Sequence, residues 1–126
     1  MKLRLGRSYT RGEIHNLLGG ELQTYLPQSK GKIVCGCFIP EQGANPNAPT
    51  EILVGNAPVV VKKAYKLIDQ RETIPVFLKR SNNNWAYIGM FQAKRFSTDR
   101  SLLRKREREA FREKLAMVLY LAKATG

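Results

Sequence analysis

Histidine is nearly absent from this chain: His15 is the only one in 126 residues. Multi-histidine metal centres are therefore excluded. A Ser-His-Asp or Cys-His constellation would rest on a histidine flanked by Glu13 and Asn16, with no nucleophile elbow around it. Cysteine is almost as scarce, with only Cys35 and Cys37, which excludes a disulfide framework. On an extended strand the two thiols share one side, about 6 to 7 Å apart, and tetrahedral zinc would still need two further ligands from His15, Glu13 or Glu41. The simpler reading makes both cysteines small core residues, so no metal and no cofactor is expected. Long apolar runs are missing too. The most apolar stretch, near the C-terminus, is interrupted by Lys114 and Lys123, short of the roughly 18 residues a membrane span needs. The opening MKLRLGRSYT turns polar before a signal-peptide core could form, so a cytoplasmic, non-membrane protein is expected. Acidic residues number 10, and none falls into the Asp…Glu-x-Lys arrangement of metal-dependent nucleases.

What is abundant is positive charge. Lys and Arg total 22, for a formal net charge of +12, and 43% of residues are hydrophobic. That composition suits one modest domain spanning 1–126 with a polyanionic partner. The excess is uneven: residues 1–32 hold six basic and two acidic groups, residues 33–93 six and four, and residues 94–114 nine and four. Both ends are basic and the middle is nearly balanced.

Thr10-Arg11-Gly12-Glu13 has the spacing of a capping box, and Ile14, Leu17 and Leu18 give a two-turn helix an apolar face before Gly19-Gly20 ends it. Residues 32–38 alternate as a strand, with Ile33, Cys35 and Cys37 on one face and Val34, Gly36 and Phe38 on the other. Residues 40–49 read as a loop and residues 51–55 as a short strand. Asn56 is expected to cap a helix with Pro58 in its first turn. Val60, Val61, Ala64, Leu67 and Ile68 would be its buried face, with Lys62, Lys63 and Lys66 outward. Strands at 74–79 and 85–91 flank a polar loop at 80–84. Period two places Trp85, Tyr87, Gly89 and Phe91 together, and Pro75 points to an edge or a bulge. A last helix is expected from a cap at Ser97 or Thr98 to about Lys123. Its first half is charged, and Ala110, Phe111, Leu115, Val118 and Ala122 form its apolar stripe.

Aromatic and basic residues interleave. Tyr9, Tyr25, Trp85, Tyr87 and Phe91 alternate along the chain with Arg7, Arg11, Lys30, Lys79, Arg80 and Arg95, the mixture that stacks bases and holds phosphates. The competing reading buries Trp85 and Phe91 in the core of a small barrel. Arg80 and Trp85 flank Ser81-Asn82-Asn83-Asn84, whose amides could meet a base edge. Arg104, Lys105 and Arg108 lie where the last helix has little apolar surface to bury, free to meet a phosphate backbone.

Several short motifs occur in order: Tyr9-Thr10-Arg11-Gly12-Glu13-Ile14, Leu18-Gly19-Gly20, Tyr25-Leu26-Pro27, Gly31 to Phe38, Asn45-Pro46-Asn47-Ala48-Pro49, Ile74 to Arg80, and Trp85-Ala86-Tyr87-Ile88-Gly89. Together, over about residues 7–92, they resemble the N-terminal module that precedes HNH nuclease domains in some bacterial restriction-type proteins. The Trp-Tyr-Gly strand more remotely resembles the curved barrels of the PUA and SRA superfamily. The resemblance implies a nucleic-acid recognition domain without the HNH part, with contacts at Tyr9, Arg11, Tyr25 and Gln28 and around Arg80 and Trp85. It also implies a flipped base in an aromatic-lined pocket.

The expectation is thus an α+β domain: a small, strongly bent mixed sheet or partly open PUA/SRA-like barrel with flanking helices and a long C-terminal helix. Its expected role is non-catalytic binding of nucleic acid, double-stranded DNA ahead of RNA, at a modified or unpaired base. The expected contacts are Tyr9, Arg11, Tyr25, Gln28, Lys30, Arg80, Asn82, Asn83, Trp85, Tyr87, Arg104, Lys105 and Arg108. The rival readings are a protein-binding module, including self-association through the C-terminal helix, and a small metal-dependent nuclease.

Overall fold

The computed structural model describes residues 3–41 and 43–124. In chain order the elements are β1 (Ser8–Tyr9), α1 (Arg11–Leu18), β2 (Gln28–Ser29), β3 (Lys32–Ile33), β4 (Gly36–Phe38), β5 (Glu51–Gly55), α2 (Pro58–Gln70), β6 (Ile74–Ser81), β7 (Asn84–Ser97), α3 (Arg100–Ala110) and β8 (Leu115–Lys123). The main sheet runs β4-β6-β7-β8-β5, with β1 added to β7. The β4–β6 pair is parallel and the other pairs are antiparallel; β2 and β3 form a separate hairpin. The result is an α+β fold on a mixed, unclosed sheet with flanking helices.

Bulges bend this sheet. Val76 pairs with Gly89 but Phe77 with Tyr87, so Ile88 is the extra residue on β7. Gly89, at φ +120°, takes a backbone conformation that side-chain-bearing residues rarely adopt. Further along, Ala93 and Arg95 pair with consecutive residues of β8, leaving Lys94 extra. Each bulge adds twist and bends the strand that carries it. β7 thus joins β1 and β6 at its start and β8 at its end. Asn45 ties the two edge strands together: its N–H donates to the Ile39 carbonyl just after β4 (3.1 Å), and the Leu53 N–H of β5 donates to its Oδ1 (2.6 Å).

The bulge at Ile88 also inverts side-chain parity, which corrects the expected face of β7. Trp85 and Tyr87 join Tyr9, Ile14, Cys35, Cys37 and Phe77 in a cluster beside α1, whereas Phe91 belongs to the main core with Phe38, Val76, Met117 and Leu119. Residues 32–38 are likewise two strands instead of one, and the break at Val34–Cys35 sends Ile33 with Phe38 to the main core, opposite the two cysteines. Pro75 lies within a central strand, but the β4 ladder begins only at Val76, so its missing N–H leaves no bond unmade on that side.

The largest correction is at the C-terminal end. The long helix is not formed. α3 starts at an Asp99 cap, whose carboxylate accepts from Leu102 N–H, and stops at Phe111, which is in the left-handed conformation and 96% exposed. Leu115–Lys123 form β8, between β7 and β5. Met117, Leu119 and Leu121 face the main core, while Leu115 and Val118 pack with Leu53 and Leu103 under α3. An apolar stretch buried on both faces supports either period, and pairing with two strands decides it.

Two local expectations also change. The N-cap of α2 is Ala57, one residue after Asn56, and it supplies no side-chain bond. Lys63, expected outward, is only 7% exposed: its Nζ donates to Glu21 Oε2 (2.7 Å) and to the Leu26 carbonyl (2.9 Å), clamping segment 21–27 onto α2.

Candidate nucleic-acid interface

The capping box at the start of α1 forms as its sequence requires. Thr10 Oγ1 accepts from Glu13 N–H (3.1 Å), and Glu13 Oε1 accepts from Thr10 N–H (2.9 Å). This fixes Arg11 at the first helical position. Its Nη2 donates to the carbonyls of Thr24 (3.1 Å) and Glu21 (3.3 Å), and its guanidinium lies 5.1 Å from the centroid of the Trp85 ring. Arg11 N–H also donates to Asn83 Oδ1 (3.0 Å), tying α1 to the two-residue turn Asn82-Asn83 between β6 and β7.

Between these parts lies a cavity of about 420 Å³. Its walls come from Arg11, segment 22–25, Cys37 and Ile39 after β4, Ala44 and Asn45, Lys79, the Asn82-Asn83 turn and Trp85. That volume is within the range of small-ligand sites. Lys79 Nζ sits 5.8 Å from the Trp85 ring centroid. Two cations line the cavity, and no carboxylate does among the described residues. Burial pushes the Tyr25 hydroxyl well above its usual pKa, so it stays protonated and donates to the Val60 carbonyl. The Cys35 thiol is held protonated by its hydrogen bond with Cys37 and by burial. Partial burial alone would raise the Glu21 pKa, but hydrogen bonds from Lys63 and from Gln28 N–H bring it below the ordinary value, so a carboxylate anchors segment 21–27.

Of the residues singled out from the sequence, the fold gathers Arg11, Tyr25, Asn82, Asn83 and Trp85 around this cavity. Trp85 is 6% exposed and forms a wall from within the core. Tyr9 and Tyr87 are buried beside it, Tyr9 edge-on to Phe77 with its hydroxyl accepting from Arg4 N–H. Gln28 is fixed in the β2–β3 hairpin opposite Ile33, and Lys30 is exposed at that hairpin's left-handed turn. Arg80 is the bulged, exposed residue of β6. Arg104, Lys105 and Arg108 stand exposed on α3, away from the cavity lining. His15 is an exposed helix residue whose Nδ1 bonds the Gly20 carbonyl (2.6 Å). Lys79, Asn45, Thr24 and Cys37 line the cavity as well, with Leu22, Gln23, Ile39 and Ala44, and none of these was chosen from sequence. Only Lys79 carried a signal, its place among the interleaved cations.

This curled sheet with α1 across one end is the fold of the SRA domain. The SRA domain of SUVH5 in complex with hemimethylated CG DNA superposes with a TM-score of 0.62 at 14% identity, over 100% of this chain and 91% of that one. The SUVH5 SRA complex with methylated CHH DNA gives 0.55 at 15%, over 98% and 90%. The Type IV phosphorothioation-dependent restriction endonuclease ScoMcrA gives 0.59 at 12%, over 100% of this chain but 25% of that one. A comparison with curated protein sequences finds no match. Residues 8–119 match the family described as Domain of unknown function (DUF6697), and the chain belongs to that family.

Proposed function

We propose that this chain is a non-catalytic reader of double-stranded DNA that takes one flipped, modified nucleotide into the cavity beneath α1. The observation that carries this reading is the cavity itself. It is bounded by Trp85, Tyr25 and the Arg11 guanidinium, rimmed by the Asn82-Asn83 turn, and placed on a fold whose solved relatives include complexes with methylated DNA. Arg80, Lys30 and the outward cations of α3, Arg104, Lys105 and Arg108, would hold the phosphate backbone. We further propose that residues 1–126 act as one recognition module alongside a nuclease, in the manner of the domain preceding HNH nucleases. The likeness to part of a restriction endonuclease supports this. Among the described residues no three His, Cys, Asp or Glu side chains converge as metal ligands, and no helix is long and apolar enough to cross a membrane.

The test is a titration of duplexes carrying 2-aminopurine beside a modified or a plain central base. Flipping raises the fluorescence, and binding should favour the modified duplex. With Mg²⁺ or Mn²⁺ present, plasmid DNA should stay intact. A protein partner or second copy is the alternative, favoured by the bare Phe111 side chain at the end of α3. Sedimentation showing a dimer that Phe111→Ser dissociates, with no DNA binding, would establish that alternative.

A further inference from the structure

Hydrogen-bonding capacity in the cavity is unevenly spent. Several of its acceptors are engaged by the protein: the Thr24 carbonyl by Arg11, Asn83 Oδ1 by Arg11 N–H, the Ala44 carbonyl by Arg112 (2.9 Å), the Tyr25 carbonyl by Cys37 N–H (2.9 Å) and Asn45 Oδ1 by Leu53 N–H. The donors are left over. Asn45 is 4% exposed, and because its Oδ1 accepts from a backbone N–H its amide orientation is fixed, so Nδ2 is a donor without a partner among the described residues. Arg11 Nη1 and Lys79 Nζ likewise have no hydrogen-bond partner among the described residues, while Nη2 holds Arg11 in place. The exposed rim amides, Gln23 and Asn82, and the Thr24 hydroxyl keep both functions.

We propose that the cavity selects a pyrimidine that brings an anionic oxygen group at its 5-position, such as a 5-carboxyl base, over cytosine and 5-methylcytosine. Cytosine presents its exocyclic amino group as a donor, and recognising it calls for an acceptor such as Asp or Glu. Cytosine and 5-methylcytosine offer O2 and N3 as acceptors and carry no charge, which leaves at least one of Asn45 Nδ2, Arg11 and Lys79 unmatched. A 5-carboxylate adds two acceptor oxygens and a negative charge against the two cations of a lining that holds no carboxylate among the described residues. This inference rests on the flipped-base reading above, and its test separates the two.

Four duplexes identical except at one central position are titrated by fluorescence anisotropy at fixed salt: cytosine, 5-methylcytosine, 5-hydroxymethyluracil and 5-carboxylcytosine. A bidentate base contact gives about 5- to 150-fold discrimination, and 5-carboxylcytosine should be favoured within that range, with 5-hydroxymethyluracil as the neutral oxygen-bearing control. Asn45→Asp keeps the oxygen that accepts from Leu53 and replaces the donor by an acceptor, so it should shift preference toward 5-methylcytosine. Because a buried carboxylate can unsettle the loop, Lys79→Gln is the second variant. It should reduce preference for 5-carboxylcytosine more than for 5-hydroxymethyluracil while thermal unfolding stays unchanged. Tightest binding to 5-methylcytosine by the unmodified protein would overturn the donor-site assignment and leave the flipped-base reading standing. Equal affinity for all four, with no 2-aminopurine signal, would overturn both.

Discussion

Trp85 shows how one side chain serves two ends. Its ring is packed by Tyr9, Ile14 and Phe77 in the cluster beside α1, and the ring surface over which Arg11 and Lys79 lie bounds the cavity. Truncating a buried tryptophan costs about 3 to 5 kcal/mol. Trp85→Ala should therefore lower stability by that order in denaturant unfolding. Trp85→Phe, which keeps an apolar ring, should lose much less and retain DNA binding. A second residue-scale expectation concerns acid. The bidentate hydrogen bonds from Arg106 to Glu51 (2.8 and 2.9 Å) hold the Glu51 carboxyl below its ordinary pKa, against the opposing effect of burial. A depressed folded-state pKa means that the contribution to stability is complete above the unfolded value, about 4.3, and is lost as pH falls through the folded one. Melting midpoints followed from pH 6 to pH 3 should fall steeply below about pH 4.5, and Glu51→Gln should be less stable at pH 6 but show a shallower fall.

At the scale of elements, α2 offers a direct gain. Its N-cap Ala57 supplies no side-chain acceptor, so the first N–H groups of the helix lack that partner. Ala57→Ser should add about 0.5 to 2 kcal/mol, measured as a shift in denaturant midpoint at constant slope. α2 also shows where sequence was sufficient and where it was not. Pro58 and the spacing of Ala64 and Leu67 marked the helix correctly, but Lys63 looked solvated because its partners, Glu21 and Leu26, come from a segment with no regular structure. The start of α1 was legible, since a capping box is written in four consecutive residues, but Leu17, expected on its apolar face, is exposed and only Ile14 is buried. β8 was not. Its alternation Met117, Leu119, Leu121 coexists with a helical stripe, and only neighbours more than 20 residues away choose between them. The cavity had the same difficulty. Arg11, Tyr25 and Trp85 stood out as base-stacking types, whereas Asn45 acquires its meaning only when it bridges Ile39 and Leu53 at the two sheet edges.

The whole molecule divides its charge between the cavity and a surface. On α3, Arg106 is committed to Glu51 and Glu109, and Glu107 accepts from Leu115 N–H, so these side chains lock the helix to β5 and β8. Arg104, Lys105 and Arg108 point away from that contact and make no ion pair among the described residues. Just beyond the helix, Arg112 donates to the carbonyls of Ala44 and Leu53 (2.9 and 2.7 Å), joining the end of α3 to the wall of the cavity, so the two sites are rigidly connected. If about 5 phosphates are neutralised, the log-log dependence of affinity on salt should have a slope of about −4 to −5, since each contact contributes about −0.9. Changing Arg104, Lys105 and Arg108 together to Gln should bring that slope to about −2 and weaken modified and plain duplexes by the same factor. Lys79→Gln should do the reverse, altering the ratio between duplexes while moving the slope by one contact at most. Salt titrations of both variants on two duplexes make the comparison. A triple variant with the wild-type slope would take the backbone contacts off α3 and assign them to the exposed Lys30 and Arg80.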